Sequence, residues 1–154
     1  MNKTLVIMTG LQGSGKSTFY AKYLARDFVR VNLDTLKTRY QERLLIEKCL
    51  SEGCNYAVDN TNPTRADRER YIIPARKAGY RIIGYYIDAK PSDCLQRNAL
   101  REGKARVPDI AIYATAKKLE ITSYDEGFDE LYLVKNDDKE MTVEPYEKGL
   151  THSH

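Results

Sequence analysis

The octet Gly10-Leu11-Gln12-Gly13-Ser14-Gly15-Lys16-Ser17 matches the pattern GxxxxGK[ST] at every fixed position. Its glycines let the backbone turn so that successive N–H groups face inward as an anion nest. A helix starting after it adds the positive end of its dipole. Lys16 can then reach the β- and γ-phosphates of a nucleoside triphosphate, and the Ser17 hydroxyl can ligate Mg²⁺. The expected ATP contacts are Gly10, Leu11, Gln12, Gly13, Ser14, Gly15, Lys16, Ser17 and Thr18. This loop is shared by ATPases, GTPases and kinases, so it identifies a phosphate donor and leaves the acceptor open.

Three further groups could complete phosphoryl transfer. Asp34 follows an apolar run in "VRVNLDTLK", where a carboxylate at a strand's C-terminal edge could take a proton from an attacking hydroxyl. The same aspartate would also serve as a helix N-cap, and spacing alone does not separate the two roles. Asp59 ends the apolar run of "NYAVDNTNP", as a Walker-B carboxylate that orients Mg²⁺ would, with Asn60, Thr61 and Asn62 beside it. An Asx-type turn before Pro63 explains Asn62 better than it explains Asp59. Arg97 and Arg101, four apart and so expected on one helix face in "RNALREGKAR", fit either a solvated charge run or a lid of guanidinium forks over phosphates. Lys104 and Arg106 follow in a glycine-containing turn.

These residues need elements to hold them. "TLVIMT", "FVRVN", "NYAVD", "YRIIGYYID" and "LYLV" read as buried strands. The intervening "KSTFYAKYLAR", "DTLKTRYQERLLIEKCLSEG", "TRADRERYIIPARKAG", "KPSDCLQRNALREG" and "PDIAIYATAKKLE" read as helices. Gly53 and Gly79 stand at helix ends, Thr64 and Asp67 have capping-box spacing, and Pro91 fits a first turn. Pro74 is expected to kink or split its helix. Strand and helix alternate, which predicts a three-layer α/β domain around a central, mainly parallel sheet of about five strands. The domain is expected over residues 1–135, with a peripheral tail over 136–154.

Composition narrows the classes further. The chain has 154 residues, enough for one domain with a real core, and a net charge of +3 that says little about nucleic acid. No apolar run approaches the roughly 20 residues that span a bilayer, and the start is too short for a signal peptide. Cys49, Cys54 and Cys94 form no CxxC pair, which suits reduced thiols in a cytoplasm. The only histidines, His152 and His154, lie in the polar tail. A general base is therefore expected to be a carboxylate.

"GLQGSGKST", "VNLDTLK", "AVDNTNP", "RNALREGK" and "VPDIAIYATAKKLE" through "EGFDELYLV" together resemble the kinase domain of polynucleotide 5′-hydroxyl kinases. The resemblance runs from about Lys3 to Val134 in the family's order and is nearest to the kinase half of bifunctional polynucleotide kinase 3′-phosphatases. It implies a P-loop kinase fold, ATP and Mg²⁺, and the 5′-hydroxyl end of DNA or RNA as acceptor. It implies Asp34 as general base, Arg97 and Arg101 as lid arginines on the ATP phosphates, and Asp59, Thr61 and Asn62 lining the site near metal and acceptor. Lys37 stands where a phage member carries an arginine that grips a 3′-phosphate. Lysine keeps the charge but loses the fork, so a preference for 3′-phosphorylated ends is not implied. Lys37 and Arg106 join the expected acceptor contacts. No "DxDGT"-like phosphatase segment occurs, so kinase activity alone is expected, in a bacterial or phage-encoded cytoplasmic protein. The alternatives are another hydroxyl acceptor (a hydroxymethylated base, a nucleoside or a small metabolite) and a nucleotide-gated ATP-binding module.

Overall fold

In the computed structural model, residues 3–137 and 139–146 are described, and His152 and His154 lie outside them. Strand β1 (Thr4–Thr9) is buried along its whole length, because it lies in the middle of the sheet with helices on both faces. It pairs in parallel with β3 (Tyr56–Asp59) on one side and β4 (Arg81–Asp88) on the other. Strand β2 (Val29–Val31) adds beyond β3, and β5 (Glu130–Asn136) beyond β4, both parallel. The strand order is β2-β3-β1-β4-β5-β6. Parallel pairing sends every strand from β1 to β5 out at the same edge, so the loops that follow them share one rim.

Alternation along β1 feeds two cores. Leu5 and Ile7 pack with Tyr71, Ile72 and Ala75 of α4 (Arg65–Lys77) and with Cys49 of α3 (Arg39–Glu52). Val6 and Met8 face Phe19 and Leu24 on the opposite side. Those two belong to α1 (Lys16–Phe19) and the π-helical turn Tyr20–Leu24 that continues it. A third cluster, Leu11, Cys94 and Ile112, joins the loop after β1 to α5 (Pro91–Ala99) and α6 (Asp109–Lys118). The three-layer α/β reading holds.

Several local expectations are met. Thr64 and Asp67 form the reciprocal capping box, Gly53 ends α3 in the left-handed region, and Pro91 opens α5. Others are corrected. The sheet has six strands: residues 141–145, read as part of a tail, form β6 (Met141–Pro145), antiparallel to β5. A chain reversing at an edge needs no long periodic signal, which is why the strand was not legible. The helix expected from Asp34 to Gly53 is two elements. The short α2 (Leu33–Leu36) ends at Lys37, whose φ of 75° breaks the helix, and Thr38 caps α3 through the Gln41 amide. Helix α4 runs unbroken through Pro74.

The segment after β3 is fixed by one buried ion pair. Arg68, fully buried on α4, meets Glu126 through two bonds of 2.7 and 3.0 Å. Its remaining amine donates to the carbonyls of Asn62 and Glu120, 3.0 Å each. The fork is thus satisfied on three segments at once. Arg68→Ala would strand a buried carboxylate and is expected to cost about 3–5 kcal/mol in urea denaturation. Arg65→Ala, which removes the exposed Arg65–Asp125 pair, is expected to leave the urea midpoint close to that of the parent.

Candidate active site at the phosphate loop

The loop from Gly10 to Gly15 leaves β1 at the common rim and enters α1. Gly13 and Gly15 take φ values of 80° and 105°, conformations that side-chain-bearing residues rarely adopt. A Cβ on Gly13 would lie 2.7 Å from the Cys94 carbonyl, so α5 packs directly against the loop's backbone. Lys16 curls into the loop, its ammonium donating to the Gly10 and Leu11 carbonyls at 2.9 and 2.8 Å. Burial pushes its pKa down to about 8, while Asp59, Cys94 and, more weakly, Asp34 favour the charge and Arg101 opposes it. Thus Asp34, Asp59 and Arg101, drawn from three separate segments, all bear electrostatically on one buried ammonium.

Four buried side-chain polar atoms without a hydrogen-bond partner occur among the described residues, and three belong to this region: Thr9 Oγ1, Gln12 Oε1 and Ser14 Oγ. Buried polar atoms are ordinarily paired, so their clustering at the loop marks a place built for polar contacts from outside the chain. Gln12 uses its amide nitrogen to hold Thr115 Oγ1 of α6 at 3.0 Å.

Ser17 and Asp59 meet across the rim, with Ser17 Oγ 3.4 Å from Asp59 Oδ2. Arg30, at the centre of β2, lies against both. Its Nε and Nη2 reach Asp59 Oδ2 at 2.8 and 2.7 Å, and Nη2 reaches Ser17 Oγ at 2.9 Å. A hydroxyl and a buried carboxylate converging on a bound cation are the hard-oxygen donor set that Mg²⁺ takes, so the residues fit the metal.

Asp34 lies exposed on α2, one helical residue past the rim. The competing role as N-cap belongs to Asn32, whose side chain accepts from the Thr35 amide at 3.1 Å. Asn32 also donates to the Asp59 carbonyl and so ties α2 to β3. Asn60 accepts from the Leu33 amide at 2.9 Å and donates to Glu42 and Tyr71, which fixes the approach of α2 from the other side. Thr61 accepts the Gly10 amide through its carbonyl. Asn62 is buried, with φ 44°, and its amide donates to the Met8 carbonyl, so it clasps this turn to β1. Lys37 is exposed beside α2.

On the other side of the loop, Arg97 and Arg101 line a cleft of about 360 Å³ with Gly13, Gly15, Thr18 and Asn136. The two arginines do not share a helix face: α5 stops at Ala99, and Arg101 stands in the following turn. Arg97 donates to the Gly13 carbonyl at 3.1 Å. That turn is locked by the fully buried Asn98, which accepts the Val107 amide and donates to the Val107 carbonyl. Lys104 and Arg106 are exposed and do not line the cleft. Asn136 donates to the Ser14 carbonyl at 3.0 Å, and a Cβ on Gly15 would strike both it and Met141. The segment read as a tail therefore walls the nucleotide cleft. A groove of about 450 Å³ between α3 and α4, lined by Arg39, Tyr40, Arg43 and Tyr71 among others, contains none of the loop residues.

A family model described as an AAA domain matches residues 5–121. The chain belongs to that family. It is 31% identical over 151 residues to a protein of Acanthamoeba polyphaga mimivirus named as a bifunctional polynucleotide phosphatase/kinase, across 93% of this chain and 36% of that one. A bifunctional polynucleotide phosphatase/kinase of Schizosaccharomyces pombe is 25% identical over 131 residues, across 82% of this chain and 32% of the relative. The chain thus spans about a third of the length of these relatives. Among solved structures, Chaetomium thermophilum Kti12 in complex with ADP-AlF3 superposes with a TM-score of 0.66 at 15% identity, over 87% of this chain and 90% of that one. The fold is a P-loop kinase fold, and over most of its length the chain is similar to these polynucleotide phosphatase/kinases. Among the described residues, no helix is long and apolar enough to cross a membrane.

The depressed pKa of Lys16 gives a test of the loop. Polyphosphate favours the protonated ammonium, so affinity is expected to fall as pH rises through about 8, with net proton uptake on binding above that value. Calorimetry of ATP binding at pH 9 in buffers of different ionisation enthalpy measures that uptake.

Proposed function

We propose that this domain transfers the γ-phosphate of ATP to the 5′-hydroxyl end of a DNA or RNA strand. The observation that carries the reading is the buried Lys16 in the phosphate loop, with Ser17 and buried Asp59 meeting beside it at 3.4 Å. Asp34 on α2 and Arg101 after α5 follow strands that end at the same rim, which supports reading them as base and phosphate-facing cation, on a scaffold similar to polynucleotide phosphatase/kinases. The Walker-B-like Asp59 and the loop supply the donor side, and exposed Asp34 supplies an acceptor side open to a large substrate.

In this mechanism the loop amides and Lys16 hold the β- and γ-phosphates, while Arg97 and Arg101 close from the α5 side and offset charge as it builds on the transferring group. Ser17 and Asp59 would hold Mg²⁺, which supplies charge neutralisation on the phosphates when bound. Asp34 accepts the proton of the attacking 5′-hydroxyl, and Lys37, beside it, offers a point charge to the acceptor's backbone. Thr61 stands at the same edge. Most of the acceleration comes from positioning, since the phosphoryl group passes directly from ATP to the attacking hydroxyl.

The test separates donor from acceptor roles. Asp34→Ala is expected to lower kcat for 5′-end phosphorylation by about 100-fold or more, with ATP affinity within about twofold of the parent. Lys16→Ala is expected to weaken both. Normal end-labelling by the Asp34 variant would remove the assignment of the base. A parent protein that binds ATP but labels a free nucleoside or an internal hydroxymethyl group, and no strand end, would move the acceptor.

A further inference from the structure

Arg30 was not expected at the site, yet it contacts both Ser17 and Asp59 there. We infer that its guanidinium holds the cation position between Ser17 and Asp59 in the metal-free protein and gives that position up when nucleotide arrives with its divalent ion. Arg30 is therefore the residue that sets how strongly nucleotide and metal binding are coupled. The inference rests on the phosphate loop as a nucleotide site and not on the identity of the acceptor.

Three features carry it. The first is geometric. One guanidinium bridges both oxygens that would hold the metal, at 2.7 to 2.9 Å, and those oxygens lie 3.4 Å apart. A divalent ion and a guanidinium cannot both occupy so small a space, because two positive charges a few ångströms apart repel strongly where water is partly excluded. Binding of one requires departure of the other.

The second is electrostatic need. The Asp59 side chain is 1% exposed, and a buried carboxylate is costly unless a cation or several donors meet it. Lys16, the other nearby cation, spends its ammonium on the Gly10 and Leu11 carbonyls. Arg30 thus keeps Asp59 compensated while no metal is present. It also masks a negative charge that would otherwise oppose an incoming triphosphate.

The third is an exit. Arg30 lies on a three-residue edge strand with a third of its side chain exposed. Its guanidinium lies over the Tyr20 ring, 5.7 Å from the centroid. That ring is itself anchored by a 2.6 Å bond from its hydroxyl to the Phe28 carbonyl. A planar cation can move outward along this aromatic shelf without losing all its stabilisation or burying its charge.

The experiment compares the affinity of a fluorescent non-hydrolysable ATP analogue with chelator and with Mg²⁺. The ratio of the two affinities reports coupling between nucleotide and metal. In Arg30→Gln the ratio is expected to rise about tenfold over the parent, equivalent to about 1.4 kcal/mol, because metal-free binding weakens and the metal no longer competes with a guanidinium. Arg30→Lys, which keeps charge without the fork, is expected to fall between. A ratio that is unchanged or smaller in Arg30→Gln overturns the inference. The parent protein gives a second readout that needs no variant. The Arg30 Nε–H resonance should be sharp and protected in the metal-free analogue complex, and should shift and lose protection when Mg²⁺ is added. A resonance indifferent to Mg²⁺ overturns it equally.

Discussion

The constraint on which the rest depends is the complete burial of β1 between two parallel neighbours. A strand with no exposed face and no free edge must end abruptly at the rim, and the backbone beyond it has to turn without bulky side chains. Gly10, Gly13 and Gly15 allow that turn, and α5 presses so close against Gly13 that even a methyl group would collide. The turn draws Lys16 into the loop, where burial makes its charge expensive and therefore responsive to any anion that enters. Parallel pairing then does the assembling. Because β1, β2, β3 and β4 all end at one edge, the loop, Asp34, Asp59 and the approach to α5 meet there without any long-range search.

Around this centre the site is held by groups that are not themselves chemical. Asn32 and Asn60 fix the angle at which α2 presents Asp34. Asn62 ties the turn after β3 to β1, and the Arg68–Glu126 pair ties the same turn to the chain near residue 120. Asn98 locks the turn that carries Arg101, and Asn136 closes the loop from the far side. Neutral amides suit this task, since each can donate and accept at once and adds no charge to a rim already crowded with it.

The sequence disclosed the parts whose chemistry depends on local spacing. The loop, the capping box at Thr64 and the strand–helix alternation could be read because a few adjacent residues determine each. Asp34 could be placed at the rim but not distinguished from a cap, since the deciding residue was Asn32, two positions earlier. Arg30 was illegible for a different reason: a single arginine in a three-residue strand looks like any solvated edge residue until β2 is set beside β3. The same holds for Asn136 and Met141, whose place against Gly15 follows from β6 folding back on β5. Arg97 and Arg101 were read as helical neighbours because four-residue spacing fits a helix. The helix ends between them, and the cleft unites them instead.

The most direct measurement is transfer of label from γ-labelled ATP to oligonucleotides differing only at the end. One set carries a 5′-hydroxyl, the other a 5′-methoxy group that has no proton to give, each as DNA and as RNA. The account predicts label on the 5′-hydroxyl strands, located at the terminal nucleotide, and none on the methoxy strands. Equal labelling of both sets, or ATP consumption without labelled strand, would contradict it.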